Sequence, residues 1–237
     1  MKSISPRLET LPEAQRYLWP RLSGLGTDFV LYRGTALSLQ VGGRTSIDFD
    51  FFTSNPLVHD QLIERLPFLG KARLRQRSAD TETFSVEALN GEVAISFFGN
   101  LSIGRVCEPV RFSDNSLYAA GLLDIAATKV SVIQQRAEVK DYKDIHTLLS
   151  NGLTLELALG AAKALYPNFN AAISLKALSY FGDIQGLPLN IQSDLSVAAA
   201  RVREIAEISR KDDSLLPDLG SIARDREIER DEPELEI

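Results

Sequence analysis

The chain of 237 residues holds one cysteine, one tryptophan, one methionine and two histidines. A lone Cys107 cannot close an internal disulfide, and one Cys with two His is too few for a zinc-type cluster. Those absences fit a reducing compartment and point to the cytoplasm. There is no apolar run of about 18 residues and no charged-then-apolar leader, which argues against a membrane span and against secretion. An excess of basic charge is lacking too. The net charge is −6, and Lys211 to Ile237 alone carries ten acidic and four basic residues, so the remainder is neutral with 22 of each sign. A neutral body lacks the footprint that dominates nucleic-acid affinity, although Lys71, Arg73, Arg75 and Arg77 form a local patch able to grip phosphates.

What is present is a core and one dense pattern. Hydrophobic residues make up 44% of the chain, enough for it to fold alone. Gly34 to Phe52 reads GTALSLQVGGRTSIDFDFF: a Gly-Thr pair opening a short helix over 35–41, a glycine turn, then a strand over 47–52 carrying Asp48 and Asp50. Alternate residues of a strand share a face, so the two carboxylates converge while Ile47, Phe49 and Phe51 point into a core. Converging carboxylates suit a hard divalent cation, and a helix start offers backbone N–H groups to phosphates. Thr35 equally suits an N-cap, and Gly42, Gly43, Arg44 and Ser46 equally suit an ordinary turn.

Around this pattern a strand-rich half precedes a helical half. Helices are expected near 12–22 and 59–66, and a strand near 29–32. Asn90-Gly91 between two alternating runs marks a two-residue hairpin joining strands near 83–89 and 92–98. Helices follow near 121–136, 141–150, 154–165, 171–181 and 190–210. The expectation is an α+β fold: a mixed sheet with flanking helices over 1–150, a helical module packed on it over 151–223, and an acidic, disordered tail over 224–237.

RGTALSLQVGGRTSIDFDFF resembles the Gly-Gly-Thr/Ser and Asp-x-Asp signature of the DNA polymerase beta-like nucleotidyltransferases, in particular the AbiEii/AbiGii-type toxin branch. LLDIAATKVSVIQQRAEVKDYKDIHTLL resembles that branch's second block, a helix with a Lys followed by a basic-Asp-aromatic-x-Asp element. The likeness spans about residues 28–150, and Arg33 stands where the family usually has its first Gly. It implies that Asp48 and Asp50 ligate Mg²⁺ bridging the phosphates of a nucleoside triphosphate, with a second metal activating the attacking hydroxyl. It also implies that Gly34 lets the phosphates approach, that Thr35 donates to them, and that Arg44, followed by Ser46, sits where the family has an arginine. A toxin of this kind acts on RNA, such as a tRNA end, and is restrained by a cognate antitoxin.

Helical spacing adds candidates independently. Lys129 falls inside the apolar stripe of Leu122, Ile125, Ala126 and Ile133, where a lysine is rarely placed unless paired or snorkelling. Asp141 falls within the arc of Ile145 and Leu148, whereas Asp144 is turned toward the polar margin as a supporting acid. The third carboxylate usual in polymerase beta-like catalysts is replaced by Ser96. With a turn at Asn90-Gly91, Glu87 pairs with Ala94 and lies diagonal to Ser96, close enough to supply the missing acid. The alternatives from other classes are a nucleotide-binding module without catalysis and an interaction protein acting through its acidic tail.

Overall fold

The computed structural model describes residues 2–216, so the acidic tail expected over 224–237 lies outside the described residues. In chain order the elements are β1 (Ser3–Ile4), α1 (Glu13–Leu18), β2 (Val30–Leu31), α2 (Arg33–Val41), β3 (Asp48–Phe52), α3 (His59–Arg65), β4 (Arg73–Arg77), β5 (Thr81–Ala88) and β6 (Gly91–Phe98). They continue with β7 (Val110–Phe112), β8 (Tyr118–Ala119), α4 (Leu122–Val132), α5 (Val139–Ser150), α6 (Leu155–Leu165), α7 (Ala171–Ala177) and α8 (Leu189–Arg201). The eight strands form one mixed sheet in the order β1-β7-β8-β2-β3-β6-β5-β4, with helices flanking it, which is the α+β architecture expected.

The alternation of DFDFF decides where the core lies. Phe49 and Phe51 on β3, Ile95 and Phe97 on β6, and Phe84 on β5 are buried on one face of the sheet. Trp19, in the 3-10 segment after α1, stacks on Phe49 at 6.1 Å and meets Phe112 edge-on at 5.3 Å. Each such side chain contributes about 2–3 kcal/mol by leaving water, so this face anchors the strand whose other face carries the carboxylates. Ile47 is 64% exposed, because pairing begins only at Asp48 and leaves the preceding residue in the loop.

β5 and β6 form the expected hairpin, but its register differs. Ala88 pairs with Gly91, so Leu89 and Asn90 occupy the corner, with Leu89 in the left-handed region at φ 31°. The reason is tertiary. Asn90 donates to Glu13 of α1 at 2.7 Å, and the Cα hydrogen side of Gly91 faces Ala14, to which an added Cβ would lie 3.7 Å away. Every pair therefore moves by two: Glu87 opposes Glu92, Ser85 opposes Ala94, and Thr83 opposes Ser96.

Beyond α5 the helices pack on other helices, α6 against α4 and α8 against α5. α8 stops at Arg201 rather than near 210, and the following segment runs along α6. The Ala206 N–H donates to the Glu156 carbonyl, and a Cβ at Gly160 would lie 2.1 Å from the Ala206 carbonyl oxygen. Only glycine lets these backbones approach so closely. Further on, buried Arg105 donates to the Ser214 carbonyl at 2.7 Å and pairs with Asp212 at 3.1 Å and Glu108 at 3.0 Å. The chain after α8 is thereby clamped to the loop that follows β6.

Candidate active site

β2 delivers the chain to Tyr32, and the turn into α2 is made by Arg33 at φ 62°. A side chain in this left-handed conformation costs about 1–2 kcal/mol, which glycine would avoid. The guanidinium of Arg33 pairs with Asp50 at 3.1 Å and sits over the rings of Phe98 and Phe52, 4.8 and 5.6 Å from their centroids. No side chain caps the start of α2, so its first backbone N–H groups are open to an anion. The Thr35 hydroxyl does not point outward. It is buried and donates to the Asp48 carbonyl, fastening the helix start to the carboxylate strand.

Gly34 has a packing reason as well as a conformational one. A Cβ there would lie 2.5 Å from Nη2 of Arg44 and 2.8 Å from Oγ of Ser46. Arg44 is in turn held in a fork by Asp144, Nε to Oδ1 at 2.8 Å and Nη2 to Oδ2 at 2.9 Å. Asp144 also receives Lys129 at 2.6 Å, and Lys129 donates to Asp141 at 2.7 Å, whose second oxygen accepts from Arg136 at 3.0 Å. Lys129, Asp141 and Asp144 are 4%, 0% and 1% exposed. So Asp144 does not lie at a polar margin: it is as deep as Asp141 and is the acid that ties the two helices to the α2 turn. Helical arithmetic alone placed it wrongly because its partner Arg44 is 100 residues away.

On β3 the two carboxylates share a face, Asp48 exposed and Asp50 half-buried. Asp50 lies beside Ser96 of β6 in the parallel register, and the Ser96 hydroxyl meets that of Thr83 at 3.1 Å. Burial raises the pKa of Asp50; Arg33 opposes this, Asp48 adds to it, and Lys129 and Lys140 oppose it more weakly. Lys129 therefore acts electrostatically on Asp50 although it bonds to α5 carboxylates. At Asp141 burial would raise the pKa, but the charge and hydrogen bond of Lys129, with those of Arg136, bring it below the ordinary value.

Glu87 is corrected. In the observed register it stands four residues along β5 from Thr83, about 13 Å from the position beside Ser96, and is exposed beside the hairpin corner. It shares the face of Asp50 but lies too far along the strand to reach it. Among the described residues no three His, Cys, Asp or Glu side chains are grouped to hold a metal ion. The donor set is thus two carboxylates with open positions around them. That fits one hard cation completed by phosphate oxygens and water, and it gives a second ion no carboxylate of its own.

A profile described as the nucleotidyl transferase AbiEii toxin of type IV toxin–antitoxin systems matches residues 17–218. The chain belongs to the AbiEii nucleotidyl transferase toxin family. This AbiEii-family protein is 32% identical over 181 residues to an uncharacterized protein of Aquifex aeolicus (strain VF5), covering 74% of this chain and 85% of that one. Its fold is shared with an H. pylori protein assigned as a nucleotidyltransferase, at TM-score 0.55 and 17% identity over 79% of this chain and 92% of the other. It is shared also with an antigenic nucleotidyltransferase-like protein of Paracoccidioides brasiliensis, at TM-score 0.50 and 16% identity over 83% and 95%. Both blocks singled out in the sequence, around Asp48 and around Lys129, fall inside the matched span, so the chain carries the nucleotidyl transferase domain of this toxin family. Among the described residues no helix is long and apolar enough to cross a membrane.

Proposed function

We propose that this protein transfers a nucleotidyl group from a nucleoside triphosphate to a hydroxyl at an RNA end, such as that of a tRNA, with pyrophosphate leaving. The observation that carries this reading is the placement of Asp48 and Asp50 on one sheet face directly against the uncapped start of α2. Asp48 and Asp50 would hold a magnesium ion, which supplies charge neutralisation at the transferring phosphoryl group. The α2 backbone N–H groups take the phosphate tail, with Gly34 keeping the turn narrow enough for Arg44 and Ser46 to line it. Lys129, paired with Asp141 and Asp144, holds the turn of Arg44 through Asp144 and adds positive charge to the field at Asp50 without touching the substrate. The hydroxyl oxygen forms the new bond to the α-phosphorus, the bridging bond to the β-phosphate breaks, and a carboxylate of the pair or water takes the hydroxyl proton.

A second reading, nucleotide binding without turnover, is favoured by Ser96 at the usual position of the third acid and by Arg33 on Asp50. Incubation with magnesium, total RNA and each labelled nucleoside triphosphate separates the two. Label entering RNA with release of pyrophosphate, lost in Asp48→Ala, supports the transferase; nucleotide binding without either supports the module. As a toxin-family member the protein would be opposed by an antitoxin, and co-expression with the product of a neighbouring gene tests that through growth.

A further inference from the structure

β4 is an edge strand of the sheet, and its sequence, Arg-Leu-Arg-Gln-Arg, is exposed at all five positions. The register carries this strand into the proposed chemistry. Asp48 lies beside Ala94, Ala94 beside Ser85, and Ser85 beside Arg73; Asp50 lies beside Ser96, Ser96 beside Thr83, and Thr83 beside Gln76. Partners across a ladder share a face, so Arg73 and Gln76 look out on the same side as the carboxylates, three strand spacings or about 14 Å away. A bulge between Leu74 and Gln76 brings Gln76 to that side. Arg73 and Arg75 both reach Glu92, another residue of the same face, at 3.2 and 2.5 Å. All three are well exposed, at 70%, 43% and 41%. Two guanidiniums share one exposed carboxylate, with Glu87 opposite it on the same face, and such exposed pairs are weak enough to be exchanged for another anion. Arg77 is separate: it approaches Glu82, whose β6 partner Phe97 belongs to the opposite face.

The direction of transfer says what this face meets. α2 packs on β3, and β2, the strand that leads into α2, lies on the side of β3 away from β6, β5 and β4. Attacking and leaving oxygens are in line in phosphoryl transfer. With the triphosphate tail against α2, the acceptor hydroxyl approaches from the side of β6, β5 and β4. Resting on the nucleotidyl-transfer reading, we infer that the polar face from Ser96 and Thr83 to Arg73, Arg75 and Gln76 is the track for the acceptor, and that the acceptor is a single-stranded RNA end whose phosphates exchange with Glu92 on the two arginines. A charged edge also discourages edge-to-edge pairing, but that role does not call for a cationic side chain facing the carboxylates.

The test uses the full chain and a fluorescein-labelled oligouridylate, followed by anisotropy across a salt series, with binding of manganese and each nucleoside triphosphate followed by calorimetry. Arg73→Gln/Arg75→Gln is expected to weaken oligouridylate binding about tenfold or more and to flatten the salt slope by about 1.4, the value for two lost single-strand phosphate contacts, while nucleotide binding stays within twofold. Arg73→Lys/Arg75→Lys should recover most of the loss. Unchanged binding in the Gln pair, an equal loss in Arg201→Gln/Arg203→Gln, no binding by the wild type, or tighter binding of polyglutamate than of oligouridylate would each overturn the track. Asp48→Asn/Asp50→Asn should lose manganese–nucleotide binding and keep oligouridylate. If it keeps both, the transferase reading fails while the track stands or falls on the arginine variants.

Discussion

Asp48 and Asp50 on β3 face a surface that a substrate can reach, and Asp50 is held only through an exchangeable pair with Arg33. Asp141 and Asp144 on α5 are sealed from solvent and divide Lys129, Arg44 and Arg136 between them at 2.6 to 3.0 Å. The same residue type is thus used in two ways within one site. An accessible carboxylate with one loose partner is able to take a new ligand. A buried carboxylate shared by two cations cannot change partners without leaving a charge unpaired, which makes it a fixture. The contrast separates residues that would do chemistry from residues that hold them in place.

The contrast breaks first at Asp50. Asp50→Asn should lower labelled pyrophosphate release by about a thousandfold or more, as expected when an electrostatic centre of phosphoryl transfer is removed. Its thermal midpoint should stay within a few degrees of wild type, and a large drop in that midpoint with activity retained would reverse the assignment. Lys129→Met should do the opposite in kind. It leaves Asp141 and Asp144 under-compensated, and urea unfolding should show a loss of about 3–5 kcal/mol. A small change there would mean that the cluster is not the fixture described. Gly34→Ala is smaller and joins the two regions: its Cβ displaces Arg44 and Ser46, costing about 1–3 kcal/mol of stability, and nucleotide affinity should fall with it, read by calorimetry. Smallest is Arg33→Gly, which relieves the left-handed strain and frees Asp50. Manganese affinity in the absence of nucleotide should rise several-fold, because the competing guanidinium is gone; an unchanged affinity would show that the pair does not guard the carboxylate.

How much of this could be read from the chain follows the range of the interactions. The face shared by Asp48 and Asp50 was legible because strand alternation is local, and the apolar residues between them fixed which side is the core. The burial of Lys129 was legible from helical spacing for the same reason. Asp144 was underrated because its guanidinium partner arrives from a turn 100 residues away, which no wheel contains. The hairpin slipped because Asn90-Gly91 is a strong local turn signal, while the corner was set by Glu13 and Ala14 of α1. Glu87 was lost as a ligand by that slip alone. β4 was noticed for its charge and not as a strand, since its all-exposed pattern lacks the half-buried alternation that marks one. The early end of α8 was likewise invisible, being decided by the close approach of Ala206 to Gly160.

The clamp on Arg105 has a consequence in time. Its guanidinium is buried, yet the Ser214 carbonyl that it needs lies 109 residues further along the chain. During synthesis the strands of the sheet can emerge and begin to pair long before that residue exists. Until residues 212–214 have cleared the ribosome Arg105 has only Glu108 of these partners, so the clamp on the loop after β6 forms late. The loop after β6 is thus locked by a segment made more than 100 residues after it, and a chain lacking residues 212–214 would leave that loop without its clamp.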